Sequence, residues 1–191
     1  MMMEKNWTAL QSIPVNGKTV TIDDQSVWAS FLEEFRLECR VLDALTAVVE
    51  ILPQAEGVLF RGRISGAVCL PCDRCADEAR VELNHAFDSF EPFPADTLHG
   101  GPVRPEAEPQ EEVDEAVIRN APQGRGIDIN PAALAWQEFS LALPVKPLCG
   151  ENCKGLCPVC GADRNTEDCS CDKERLDPRM AALHGLTLKK K

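Results

Sequence analysis

The sequence predicts an α+β protein: a small antiparallel sheet or meander with a few short helices and a cysteine-rich knuckle module near its C-terminal end. Three observations carry this. Apolar and polar residues alternate through stretches between Leu45 and Phe90, the period of half-buried strands. Apolar residues recur at helical spacing on either side, at 26–38 and 130–144. Finally, "PLCGENCKGLCPVCGADRNTEDCSC" places six cysteines in the 25 positions 147–171.

The first helix is read over "SVWASFLEEFRLE" at 26–38, where Val27, Trp28, Phe31, Leu32 and Phe35 form an apolar stripe and Asp23, Asp24 or Ser26 supplies the cap. That stripe reads as core. "LTAVVEILP", "GVLFRGRISGAVCL" and "ARVELNHAFDSF" then read as three strands, joined by turns at "PQAEG" and "CDRC". His85 shares an alternating face with Val81, Leu83 and Phe87, which makes it a core histidine rather than a ligand. Residues 91–112 hold five Pro, two Gly and a growing acidic run, the composition of a linker. Order is expected to resume with a short strand, "GIDI" at 126–129. A helix follows, with Asn130 as its N-cap and Pro131 at its first position. On that helix Gln137 and Glu138 are expected outward, and Leu134, Trp136 and Leu141 inward. Pro144 ends it, and a last helix is expected from Asp177 and Pro178, with His184 exposed. The chain thus divides into 1–90 (helix plus sheet with the CDRC hairpin), an acidic Pro-rich linker at 91–115, and 116–191 (strand, helix, cysteine cluster, last helix). The last part is expected to pack with 1–90 as one domain.

Composition narrows the function. Twenty basic against 31 acidic residues give a formal charge of −11, which disfavours nonspecific binding to phosphate backbones. Tyrosine is absent and there are only three Trp and seven Phe, thin for a protein that stacks bases or sugars. Any RNA contact would use local basic surface: Arg61, Arg63, Lys154 or the terminal "LKKK". The opening "MMMEKNWTALQSIPV" shows no basic region followed by an apolar run. The most apolar window, "VLDALTAVVEIL", is short and contains Asp43 and Glu50. The expectation is a cytoplasmic chain with no membrane span, where reducing conditions direct paired cysteines toward metal rather than disulfide.

A structural metal wants four ligands in a tetrahedron, usually two short pairs. "CDRC" (Cys72, Cys75) and "CPVCG" (Cys157, Cys160) have the two-residue spacing that lets both sulfurs meet one ion. Cys149/Cys153 and Cys169/Cys171 supply two further pairs. The arithmetic suggests one non-local site of Cys72, Cys75, Cys149 and Cys153. A second, local site of Cys157, Cys160, Cys169 and Cys171 closes the eight-residue loop "GADRNTED". Cys39 and Cys69 are left over as small core residues. A rival partition puts all metal in the last six cysteines and leaves Cys72/Cys75 as a dithiol. Zinc is preferred to iron, and two ions are expected. A closed site with four thiolates is structural, and each such site, four thiolates around one dication, carries −2, so two of them take the total from −11 to −15. The sequence offers no paired carboxylates in a metal-site pattern, no Ser/His/Asp arrangement and no Gly-rich phosphate loop. No enzyme and no small-molecule substrate are therefore inferred.

"CDRC" after a strand, "IDINPAALAWQEFSLALPVKPLC", "CKGLCPVCGADRN…CSC" and "DPRMAAL" occur in an order that resembles the YceD family, the large ribosomal RNA subunit accumulation proteins. The resemblance covers roughly residues 40–186, and the cysteine block is its specific part. It implies a cytoplasmic bacterial protein needed for synthesis, processing or stability of 23S ribosomal RNA, with no catalytic mechanism attached. It also implies a ribosomal protein or pre-ribosomal RNA complex as partner, for which the acidic 106–115 run suits a basic protein. Family members that keep the upstream CxxC and the "ALP" element but lack the downstream knuckle support the two-site partition. The family's usual "GxNLN" reads "GADRN" here, with Asp163 and Arg164 departing from it. The alternative function is a redox or metal-handling protein using Cys72/Cys75.

Overall fold

The computed structural model describes residues 6–94, 117–122 and 126–171. The acidic run at 106–115, most of the linker, and the helix expected from Asp177 with His184 lie outside the described residues. The elements in chain order are β1 (Thr8–Ala9), β2 (Lys18–Ile22), α1 (Gln25–Glu34), β3 (Arg40–Pro53), β4 (Gly57–Pro71), β5 (Glu78–Pro92), β6 (Ile118–Asn120), β7 (Ile127–Ile129) and α2 (Pro131–Ala142). Two antiparallel sheets result, one of four strands in the order β2-β3-β4-β5 and one of three in the order β1-β7-β6. The architecture is α+β.

The long β3-β4-β5 meander follows from alternation. Leu45, Ala47, Val49 and Ile51 on β3 and Val58, Phe60 and Ile64 on β4 are all fully buried, while Val48, Glu50, Arg61 and Arg63 between them are exposed. On β5 the inward set is Ala79, Val81, Leu83, His85 and Phe87. Arg61 pairs across the outer face with Asp88 at 2.8 Å, and Arg63 donates to Asn84. Two of the basic residues that could meet RNA are thus already engaged.

Helix α1 is capped by Asp24, whose carboxylate accepts from the Ser26 amide at 2.9 Å. Gln25 joins it to the sheet, donating to the Leu45 carbonyl and accepting from the Leu45 amide, as a strand would. The helix ends in a Schellman turn: Leu37 N–H donates to Leu32 C=O and Arg36 N–H to Glu33 C=O, with Arg36 left-handed at φ 51. Phe35, expected inside, is the C-cap and is half exposed, although its ring stacks on Trp136.

Helix α2 starts as its sequence dictates, with the Asn130 side chain accepting from the Ala133 amide and Pro131 in the first turn. It lies over the four-stranded sheet, touching β2, β3, β4 and β5, and packs against α1. An aromatic cluster of Trp28, Phe31, Trp136 and Phe139 fills that seam at centroid distances of 5.3–5.6 Å. Leu134 and Trp136 are buried as expected, but Glu138 and Leu141 exchange roles. The solvent stripe is Gln137, Ser140 and Leu141, an i, i+3, i+4 set. Leu141 falls in it and is 68% exposed, whereas Glu138 is turned inward and only 7% exposed. Its carboxylate lies 3.1 Å from His85 Nε2, so each polar group answers the other between α2 and β5. One continuous apolar core contains residues of β3, β4 and β5 together with Val117, Ile118, Ile127, Ile129 and the inner face of α2.

Candidate metal centre

The connection between β4 and β5 is Cys72–Asp77, so the CDRC turn sits at the tip of the longest hairpin. The chain leaving α2 returns to that tip, where the Asp73 amide donates to the Pro147 carbonyl at 2.8 Å. This brings Cys149 and Cys153 against Cys72 and Cys75. The sulfurs of these four lie within 4.8 Å of one another, with Cys72 Sγ 3.8 Å from Cys153 Sγ and Cys75 Sγ 3.5 Å from Cys149 Sγ. Cys72, Cys75 and Cys153 are buried and Cys149 is exposed. A second quartet, Cys157, Cys160, Cys169 and Cys171, meets the same 4.8 Å limit and is more open to solvent.

The two CxxC turns are built alike. In the first, Cys72 N–H donates to Asp77 C=O and Ala76 N–H to Cys72 C=O, at 2.7 and 2.9 Å. In the second, Cys157 N–H donates to Ala162 C=O and Gly161 N–H to Cys157 C=O, both at 2.8 Å. The residue after the second cysteine is left-handed in both, Ala76 at φ 64 and Gly161 at φ 76. This turn aims main-chain N–H groups at the first sulfur. The Cys72 thiol is lowered to about 6 chiefly by the Arg74 amide, with help from those of Cys149 and Cys75. The Cys157 thiol is lowered to about 6 by the corresponding amides of Cys160 and Val159. Their neighbours move the other way. Beside Cys160, and partly buried, Cys171 is pushed up to about 12, and Cys169 is raised chiefly by Cys157. Cys75 hydrogen-bonds the Cys149 sulfur and favours its thiolate, but Cys153, burial and Cys72 together raise it.

This chemistry fits a thiophilic dication. Four crowded sulfurs resist ionising together unless a cation neutralises them. Tetrahedral bonds near 2.3 Å would space zinc-bound sulfurs by about 3.8 Å, and the Cys72–Cys153 and Cys75–Cys149 separations of 3.8 and 3.5 Å lie close to that figure. A disulfide would need sulfurs about 2.05 Å apart, and all ten cysteines are free. The two remaining thiols stand apart from both quartets. Cys69 is buried, and the half-buried Cys39 is pushed up to about 11 by burial and by Cys69 beside it. His85 is engaged with Glu138 and belongs to neither group.

Sequence reasoning passed over the residues around the sulfurs. Asn165, in the loop of the second quartet, accepts from the Lys154 amide at 2.7 Å and places Nδ2 3.5 Å from Cys153 Sγ of the first. Asp163, one of the two departures in "GADRN", accepts from the Asn165 amide and side chain at 3.0 and 2.8 Å. Arg74 donates to the Cys153 carbonyl at 2.8 Å. The Asx-turn run Asp163–Asn165 is the local signal that could have indicated them.

The family model described as "Large ribosomal RNA subunit accumulation protein YceD" matches residues 60–187, about two thirds of the chain and all eight clustered cysteines. The chain belongs to the YceD family. Among curated proteins it is similar to uncharacterized proteins of Mycobacterium tuberculosis and Mycobacterium bovis, each 28% identical over 129 residues. The match covers 68% of this chain and 55% of each relative, so the chain spans about half the length of the curated relatives it matches. No solved structure matches it. The two cysteine groups, both inside the matched region, could hold metal ions. Among the described residues, no helix is long and apolar enough to cross a membrane.

Proposed function

We propose that this YceD protein is a non-enzymatic, zinc-binding factor of the bacterial cytoplasm that supports synthesis, processing or stability of 23S ribosomal RNA and assembly of the large ribosomal subunit. The observation that carries the reading is the family match, which spans the hairpin and both quartets. Cys72, Cys75, Cys149 and Cys153 would hold one zinc, and Cys157, Cys160, Cys169 and Cys171 a second. Four thiolates leave no open position for water, so each ion would fix structure rather than activate a substrate. Segments 1–90 and 116–191 would act as one folding unit joined by the 91–115 linker, which the shared core supports. The partner would be a ribosomal protein or a pre-ribosomal RNA complex, and the net charge of −11 favours contact with a basic protein over direct RNA binding.

Affinity capture of the full-length chain from its host, before and after nuclease, tests this. Recovery of large-subunit proteins or precursor 23S RNA is expected. Recovery of neither, with normal 23S RNA levels on depletion, would refute it.

The redox alternative ranks second. The low pKa of Cys72 would suit a nucleophile, but Cys72 and Cys75 are both buried. The sulfur–sulfur hydrogen bonds also run across the pairs, from Cys72 to Cys153 and from Cys75 to Cys149. Native thiol titration separates the readings: protected thiols fit structural metal, and two fast, reversibly oxidised thiols fit redox.

A further inference from the structure

Only Lys154, Gly155 and Leu156 separate Cys153 of the first quartet from Cys157 of the second. The strap they form is bonded from both sides. Leu156 N–H donates to Arg74 C=O inside the CDRC turn at 3.0 Å, and Arg74 returns a bond to the Cys153 carbonyl. From the second site's loop, Arg164 N–H donates to Gly155 C=O at 3.0 Å and Asn165 accepts from Lys154 N–H. Gly155 has φ +69, and a Cβ there would stand 2.9 Å from the Arg74 carbonyl, so the close approach requires glycine. Asn165 also aims its amide at Cys153 Sγ. Its orientation is determined by its partners: Oδ1 must accept from Lys154 N–H, which leaves Nδ2 for the sulfur and for Asp163.

We infer that the two cysteine quartets load metal as one coupled pair, and that Asn165 is the positioning residue that carries the coupling to Cys153. The inference rests on the metal-binding reading above. Filling either site orders the 153–157 strap and the loops bonded to it, so the second ion meets a segment whose ordering has already been accomplished. Two centres of charge −2 each repel, but salt screens that repulsion over about 8 Å, and the Asn165 N–H places partial positive charge on the shared side. Ordering therefore wins, and the coupling is positive. By linkage it must also be reciprocal.

Competition of the purified full-length chain against a chromophoric zinc chelator measures it. The predicted result is that Cys169→Ser/Cys171→Ser weakens the zinc remaining at the first site about tenfold or more, and that Cys72→Ser/Cys75→Ser weakens the second site by the same factor. Asn165→Asp keeps an oxygen for the Lys154 amide but removes the donor to Cys153. It should keep two zincs, bind the first about tenfold more weakly, and shift the sulfur-to-cobalt charge-transfer band of the cobalt-substituted first site. Wild-type affinity at the remaining site in both double variants overturns the coupling while leaving two-zinc binding intact. Coupling with an unchanged Asn165→Asp band and affinity overturns the role of Asn165. A wild type that binds no zinc overturns the coupling and the metal-binding reading together.

Discussion

Ala76 and Arg36 are the two described non-glycine residues with left-handed backbone, at φ 64 and 51. A Cβ costs roughly 1 kcal/mol in that region, so each marks a place where the surrounding bonds outweigh local preference. Ala76→Gly and Arg36→Gly should each raise stability by about 0.5–1 kcal/mol, read as a rise in denaturant midpoint. Gly155→Ala should do the reverse and lower zinc retention as well, because its methyl would meet the Arg74 carbonyl. The sulfurs give a pH prediction. Cys75, Cys149, Cys169 and Cys171 are all raised and thus protonated near neutrality before metal arrives. Loading should release at least about two protons per ion, seen as buffer-dependent heat in calorimetry. The sign for the apoprotein follows from Cys72 and Cys157, whose folded pKa values near 6 lie below the ordinary thiol value of 9.0. Their contribution is complete above about 9 and is lost as pH falls through 6. Acid therefore attacks both the apo turns and the metal, and retention should fall steeply below pH 6.

Helix α2 shows how far local pattern carries. Its start was legible in Asn130 and Pro131, because capping is a short-range property of the residues at one end. The burial of Glu138 was not, because its partner His85 is 53 positions away on β5 and its charge argues for solvent. The β3-β4-β5 meander was legible from alternation over long stretches. Strands β1 and β6, of two and three residues, are too short to show a period. β2 did carry a readable signal, in Asn16-Gly17 followed by Val20 and Ile22. At this scale Phe139→Ala should destabilise by about 3–5 kcal/mol, since the ring is fully buried between Trp28 and Trp136. His85→Ala should cost about 1–3 kcal/mol by leaving the Glu138 carboxylate without its partner, and His85→Ala/Glu138→Leu should recover part of that loss. Chemical denaturation of the three variants checks both expectations.

Across the whole molecule, four short cysteine pairs, Cys72/Cys75, Cys149/Cys153, Cys157/Cys160 and Cys169/Cys171, separated eight thiols from Cys39 and Cys69, and the chain brings those eight together in two fours. The bonds among the fours were not legible, since Arg74, Asp163 and Asn165 act through contacts that only the folded strap creates. The main core is built from the sheets and helices, and three members of the first quartet, Cys72, Cys75 and Cys153, form a separate small cluster with Ala79 and Leu148. Removing metal should therefore loosen 72–77 and 147–171 while β3 and β4 stay protected, a contrast that hydrogen exchange with and without chelator reads directly. Equal loss of protection in β3 and β4 would show that the metals hold up the whole fold.

The most direct test of the central claim, that one ion ties the hairpin tip to the segment after α2, is elemental analysis of untagged protein, comparing wild type with Cys72→Ser/Cys75→Ser. The account predicts two zincs per chain falling to one. A wild type with a single zinc, unchanged by the double substitution, would contradict it and release Cys72 and Cys75 for thiol chemistry.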